Sequence, residues 1–178
     1  MRTFAEARLT KQDEMAAVRR RHAAHFTEIA QDSETGLVGP DADGWIGRLE
    51  AAVADLEVAL RWAQQHAEIG IGLELSADLW RWWLFSGRLA FGRDWLATFV
   101  AGADQWRDER TGRAFCAAAA LAAENGDNAE AVRLALRIFE PLGLQERMAF
   151  AATMIGSAQL NLGDRAAARR SFQIAMDL

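Results

Sequence analysis

Three glycines, Gly87, Gly126 and Gly163, stand 39 and then 37 residues apart (126 − 87 and 163 − 126), each inside a stretch of helical period. A small residue follows each glycine by five positions: Gly92, Ala131 and Ala168. Apolar residues follow by nine and twelve positions: Leu96 and Phe99, Ala135 and Ile138, Phe172 and Ala175. A tight bend between two helices needs a residue that tolerates left-handed backbone angles, which glycine does without a steric penalty. Close approach of the second helix then demands a small residue at its first inward position. The later apolar positions plug the gap to the next pair. One hairpin cannot bury its own apolar face, so units with this spacing stack into a solenoid of helical hairpins.

The region upstream is also helical in pattern, but without the repeat. Met15, Val18, His22, His25, Phe26 and Ile29 recur at three- and four-residue steps, which predicts a long amphipathic helix over 10–31. Gly36, Gly39 and Pro40 predict a loop over 32–43. Trp45, Ile46, Leu49, Val53, Leu56, Leu60 and Ala63 then mark a second helix over 45–67. The expected fold is therefore all-α, an α-α superhelix of about eight helices. It divides into an N-terminal helical segment, 1–67, and helical repeats over 68–178 that turn at Gly87, Gly126 and Gly163.

Composition narrows the function. With 51% hydrophobic residues the chain has material for a core, and its net charge of −5 disfavours nucleic acid and anionic membranes. The triplet Arg19-Arg20-Arg21 reads as a solvated helix face. The single cysteine, Cys116, lies in an apolar run, which fits a buried thiol in a reducing cytoplasm. No apolar run has the length of a membrane span, and residues 1–10 lack the apolar stretch of a signal peptide. The expected location is cytoplasmic.

Catalytic signatures are missing. Gly-x-x-x-x-Gly-Lys and Gly-x-Ser-x-Gly motifs do not occur, and the sole lysine, Lys11, has no glycine-rich context. His22, His25 and Glu28 share a helical face, but that face is apolar and lacks a fourth ligand, so they read as packing residues. The carboxylate pairs Glu28 with Asp32, Glu50 with Asp55 and Asp104 with Asp108 sit among arginines and read as solvated faces. The expectation is a chain that is not an enzyme, with no cofactor and no metal. Trp80, Trp82 and Trp83 spread around one helix, so most should form an aromatic core joining the two segments, and Trp82 is the candidate to line a pocket.

At the glycine corners the chain resembles tetratricopeptide repeats. The last unit, with Ile155-Gly156, Gly163, Ala168, Phe172 and Ala175, carries the family's small-residue and aromatic spacing. Trp80 stands where that family places a small residue, and Gly92 where it places Ala, which implies a wider, aromatic-filled first junction. A second likeness runs through Arg20-Arg21-His22-Ala23-Ala24-His25-Phe26, Trp45-Ile46-Gly47-Arg48-Leu49-Glu50 and Leu56-Glu57-Val58-Ala59-Leu60-Arg61-Trp62-Ala63. It continues through Leu79-Trp80-Arg81-Trp82-Trp83-Leu84-Phe85-Ser86-Gly87 and Gly92-Arg93-Asp94-Trp95-Leu96. This succession resembles the segment after the ATPase core in large actinobacterial-type LuxR/STAND-class transcriptional regulators. Asp55-Leu56-Glu57 departs from it, standing where Asn-Leu-Arg is usual.

The resemblance implies a parent that binds ATP and DNA through domains outside this chain, and a chain whose own task is to bind a protein, a peptide or a neighbouring domain. In tetratricopeptide geometry the first helix of each hairpin lines the concave surface. That register assigns Arg81 and Phe85, with Trp82 beside them, then Arg113 and Glu124, then Thr153, Ser157 and Asn161. Arg81, Arg113 and Asn161 are candidates to receive a carboxylate or an extended peptide. The alternative is a homodimer formed through an open, apolar solenoid end near Ile174, Met176 and Leu178.

Overall fold

The structure, a computed structural model, describes residues 2–103, 108–121, 136, 139–161 and 163–178, with side chains from residue 14 onward except at 119, 158 and 161. Among the described residues the chain is all-α. Its helices are α1 (Arg2–Gly36), α2 (Ala42–Ala51), α3 (Val53–Gln65), α4 (Ile69–Phe85), α5 (Leu89–Ala101), α6 (Glu109–Leu121), α7 (Gln145–Asn161) and α8 (Arg165–Asp177), with a 3-10 turn at Glu140–Leu142 before α7. No described helix is long and apolar enough to cross a membrane.

Two boundaries differ from those the sequence predicts. First, α1 continues through the expected loop to Gly36. Asp, Ser and Thr compete for backbone hydrogen bonds and usually end helices. Here Ser33 is fully buried and its hydroxyl donates back to Ala30 O at 2.7 Å, so the helix keeps its course until Leu37, itself buried, seals the end. Second, the helix expected over 45–67 is two helices broken at Ala52, whose backbone (φ −94°, ψ 3°) leaves helical geometry and whose N–H turns toward Arg48 O and Glu50 O. The break rotates the apolar stripe, so Leu49 on α2 and Leu56, Leu60 and Ala63 on α3 reach the same core.

That core gathers around α4. Leu73, Leu75, Leu79, Trp82 and Trp83 are at most 1% exposed, so α4 is apolar on almost every side. It is wrapped by α1 (Ala23, Phe26, Ala30), α3 (Leu56, Leu60), α5 (Leu96, Phe99) and α6 (Ala114, Ala117, Leu121). Burying one such leucine contributes about 1.5–3 kcal/mol. This single cluster draws on both sides of residue 67. A smaller cluster, Cys116, Phe139 and Ala151 with Leu144, Met148 and Phe150 around it, joins α6 to the start of α7.

The expected corners are present where the chain is described. Gly87 (φ +73°) turns α4 into α5 and Gly163 (φ +82°) turns α7 into α8. At each, the next N–H reaches back five residues: Arg88 N–H donates to Trp83 O at 2.8 Å and Asp164 N–H to Gln159 O at 2.9 Å. Asp164 also caps α8 by accepting from Ala167 N–H at 2.9 Å. Of the positions keyed to these corners, Gly92, Leu96, Phe99 and Ala168 are buried, while Phe172 and Ala175 are half-buried. Gly126, Ala131, Ala135 and Ile138 lie outside the described residues.

Candidate ligand-binding surface

Three arginines from three separate helices converge on one carboxylate. Arg81 lies on α4, Arg113 on α6 and Arg147 in the first turn of α7, at intervals of 32 and 34 residues (113 − 81 and 147 − 113). The carboxylate is Glu34, in the last turn of α1. Its Oε2 is 2.8 Å from Arg113 Nη2, and its Oε1 is 3.6 Å from Arg81 Nη1 and 3.7 Å from Arg147 Nη1. Arg113 also pairs closely with Asp78 on α4, and Arg147 Nε donates to Glu109 Oε1 at 2.9 Å.

Aromatic rings hold the Arg81 guanidinium from the other side. Arg81 stacks 4.6 Å from the Trp80 ring centroid and 5.7 Å from that of Phe150, while Trp80 and Phe150 lie 6.4 Å apart. Such contacts favour Arg over Lys, because a planar guanidinium stacks and still offers its edge donors to a carboxylate. A shallow cleft lined by Glu34, Ala77, Trp80, Arg113, Cys116, Phe139, Arg147 and Phe150 opens beside the cluster, with room inside for about one water.

Burial sets the electrostatics. Asp78 is 2% exposed. Desolvation pushes its carboxyl up to about 6, Arg113 pulls it down, and Glu34 and Glu74 add to the rise. Desolvation also lowers the Arg81 guanidinium below its usual range, against the pull of Glu34. The Cys116 thiol, at the back of the cleft, is pushed up to about 12 by burial, which leaves it protonated and unreactive. A second group lies along α6. Burial would raise the Asp108 carboxyl, but hydrogen bonds from Thr111 and Arg110 outweigh it and hold the group below its usual range. There Asp108 accepts from the Thr111 N–H at 3.1 Å and anchors the start of the helix.

The residues assigned from sequence are distributed unevenly over this surface. Arg81 and Arg113 meet at Glu34. Trp82, only 1% exposed, belongs to the core around α4 and does not line the cleft. Phe85 is half exposed in the last turn of α4, also outside the cleft. Ser157 and Thr153 are exposed on α7 with their hydroxyls turned back to Thr153 O and Ala149 O. Glu124 and the side chain of Asn161 lie outside the described residues. His22 contacts Asp55 at 3.2 Å and packs on Phe26, as does His25.

Glu34, Asp78, Glu109 and Arg147 escaped the sequence reading. Asp78 did carry a signal: a lone carboxylate inside Leu75-Ser76-Ala77-Asp78-Leu79 needs a buried counterion. No family model, curated protein or solved structure matches the chain.

Proposed function

We propose that this chain is a non-catalytic interaction module of a multidomain transcriptional regulator, binding a protein, a peptide or a neighbouring domain through the surface shared by α4, α6 and α7. One observation carries the reading: Arg81, Arg113 and Arg147, on three different helices, all aim at a single carboxylate. Each arginine has a carboxylate, Arg113 with Asp78, Arg147 with Glu109 and Arg81 with Glu34, yet all three reach Glu34, and partly exposed pairs add only about 0–1 kcal/mol each. Convergent donors with aromatic backing are the chemistry of anion recognition. The order of motifs upstream supports the setting in a regulator, and the corner geometry at Gly87 and Gly163 is compatible with stacked hairpins.

A photo-crosslinking residue at Phe85 or Ser157 tests this in cells that express the parent gene. The module reading expects repeated capture of one protein or domain, lost when Arg81→Glu and Arg147→Gln are combined. Capture that ignores the double substitution contradicts it. Arg113 is left alone because it is the counterion of buried Asp78.

A homo-oligomerisation element is the second reading, and α8 favours it. Ile174 is 54% and Met176 72% exposed, and Leu178 beyond them is exposed too. Light scattering of the wild-type chain and of Ile174→Glu separates the two. A dimer that the substitution dissolves supports assembly, and a monomer in both removes it.

A further inference from the structure

Glu34 sits where Arg81, Arg113 and Arg147 converge. Both its oxygens are engaged, and among the described residues it is the carboxylate that reaches all three arginines. Asp78 is committed to Arg113 and Glu109 to Arg147, while the ion-pair partner of Arg81 is Glu34. The point where the three guanidinium groups converge is thus filled by a carboxylate of the same chain.

The way Glu34 is held makes it exchangeable. Its side chain keeps 25% of its surface exposed, whereas Ala30, Ser33 and Leu37 on the same stretch are buried. The Glu34 side chain can rotate into solvent while α1 remains docked through those neighbours. The cleft beside it has room for about one water, far below the roughly 300–1,000 Å³ of sites that enclose a free small molecule. Its apolar rim, Trp80 and Phe150, is partly exposed and offers one side chain a surface to pack on from outside.

We propose that Glu34 is an internal stand-in for a partner's carboxylate: an Asp or Glu on a partner peptide, flanked by an apolar side chain that packs on Trp80 and Phe150, displaces it. The inference rests on the interaction-module reading and adds to it the partner's chemistry and a built-in competitor. A site already occupied binds with an apparent affinity reduced by the fraction of time it is free, so Glu34 sets the threshold for engagement.

The full chain is titrated with a fluorescein-labelled, end-capped hexapeptide that carries one Glu between Phe and Leu, and with its Gln counterpart. Glu34→Gln is expected to bind the Glu peptide about tenfold tighter than wild type or better, and the Gln peptide no tighter. Adding Arg147→Gln removes the gain. Equal affinity of wild type and Glu34→Gln, equal response to the two peptides, or binding by neither protein each overturns the proposal. If circular dichroism reports that Glu34→Gln does not fold, the side-chain Nε–Hε resonances of Arg81, Arg113 and Arg147 in the wild type decide instead. The Glu peptide should move all three and the Gln peptide none; unmoved resonances overturn it. A module that uses the same arginines for a partner without this carboxylate keeps its arginine-dependent capture in cells while failing here, so the two readings fail separately.

Discussion

Asp78 and Arg113 face each other across α4 and α6, and the Asp78 carboxylate that completes the pair is almost wholly shut off from water. Because its folded pKa is raised to about 6 from 3.8, the folded chain holds a proton between those values that the unfolded chain has released. Folding stability from this group is therefore greatest at low pH and falls as pH rises through about 6. The loss across the window is about 3 kcal/mol, taking 1.4 kcal/mol per unit. Glu50 and Asp108, both held below their usual range, act in the opposite direction. Comparison with Asp78→Asn cancels their contribution. Urea denaturation of both proteins from pH 4 to pH 7.5 is expected to show the wild type losing ground to the variant up to about pH 6 and holding level above it. Parallel curves would refute the assignment.

Cys116 offers an independent check on packing at the same cleft. It is 2% exposed, and its thiol is pushed up to about 12. A thiol reagent at pH 8 should react with the native chain only as fast as the chain opens, and at full speed in denaturant. Fast labelling of the native chain would mean that α6 and α7 are not packed as described.

Ala67 turns α3 into α4 with φ +54°, the left-handed value that Gly87, Gly143 and Gly163 adopt at the other bends. Its hydrogen bonds are of the same kind, with Glu68 N–H donating to Ala63 O at 2.9 Å. Alanine in this region costs roughly 1–2 kcal/mol, and glycine gives back part of that gain through its freer unfolded chain. Ala67→Gly is expected to raise stability by about 0.5–1 kcal/mol in thermal or urea denaturation. A loss of stability would show the bend to be set by contacts instead of by backbone angle.

The visibility of each element in the sequence follows from which force sets it. Period and glycine punctuation revealed the helices and the corners at Gly87 and Gly163, because local backbone geometry dictates both. The corner at Ala67 and the break at Ala52 use alanine, the strongest helix former, so no local signal marks them. The last turn of α1 was hidden by its polar letters, Asp32-Ser33-Glu34-Thr35, whose helical state depends on burying Ser33 against distant helices. With that turn read as loop, Glu34 could not be brought to Arg81 and Arg113. Those two arginines were legible from register alone, whereas Arg147 falls just before the window that the Gly163 corner defines.

The closest helix contacts, of which the sequence marked Gly156 and Phe172 alone, give the sharpest test of packing. The Phe99 ring on α5 lies over Gly72 on α4, in the space a β-carbon there would occupy. Phe139 is seated in the same way on Gly112, and Phe172 on Gly156, where the added β-carbon would come within 2.6 Å of the ring. Each ring uses a glycine on a neighbouring helix as its seat, so the glycines act through lack of volume and not through backbone freedom. Phe99 is fully buried and cannot swing aside, whereas Phe172 is half-buried and has room to move. Gly72→Ala should cost about 1–3 kcal/mol by overpacking. Gly156→Ala should cost less, because a shifted ring relieves the clash and alanine favours the helix. Urea midpoints measure both. Coupling separates overpacking from a general effect of alanine: Gly72→Ala combined with Phe99→Leu should recover part of the loss, since the smaller side chain vacates the seat. If the double variant is as unstable as the sum of the single ones, the two residues do not share that space.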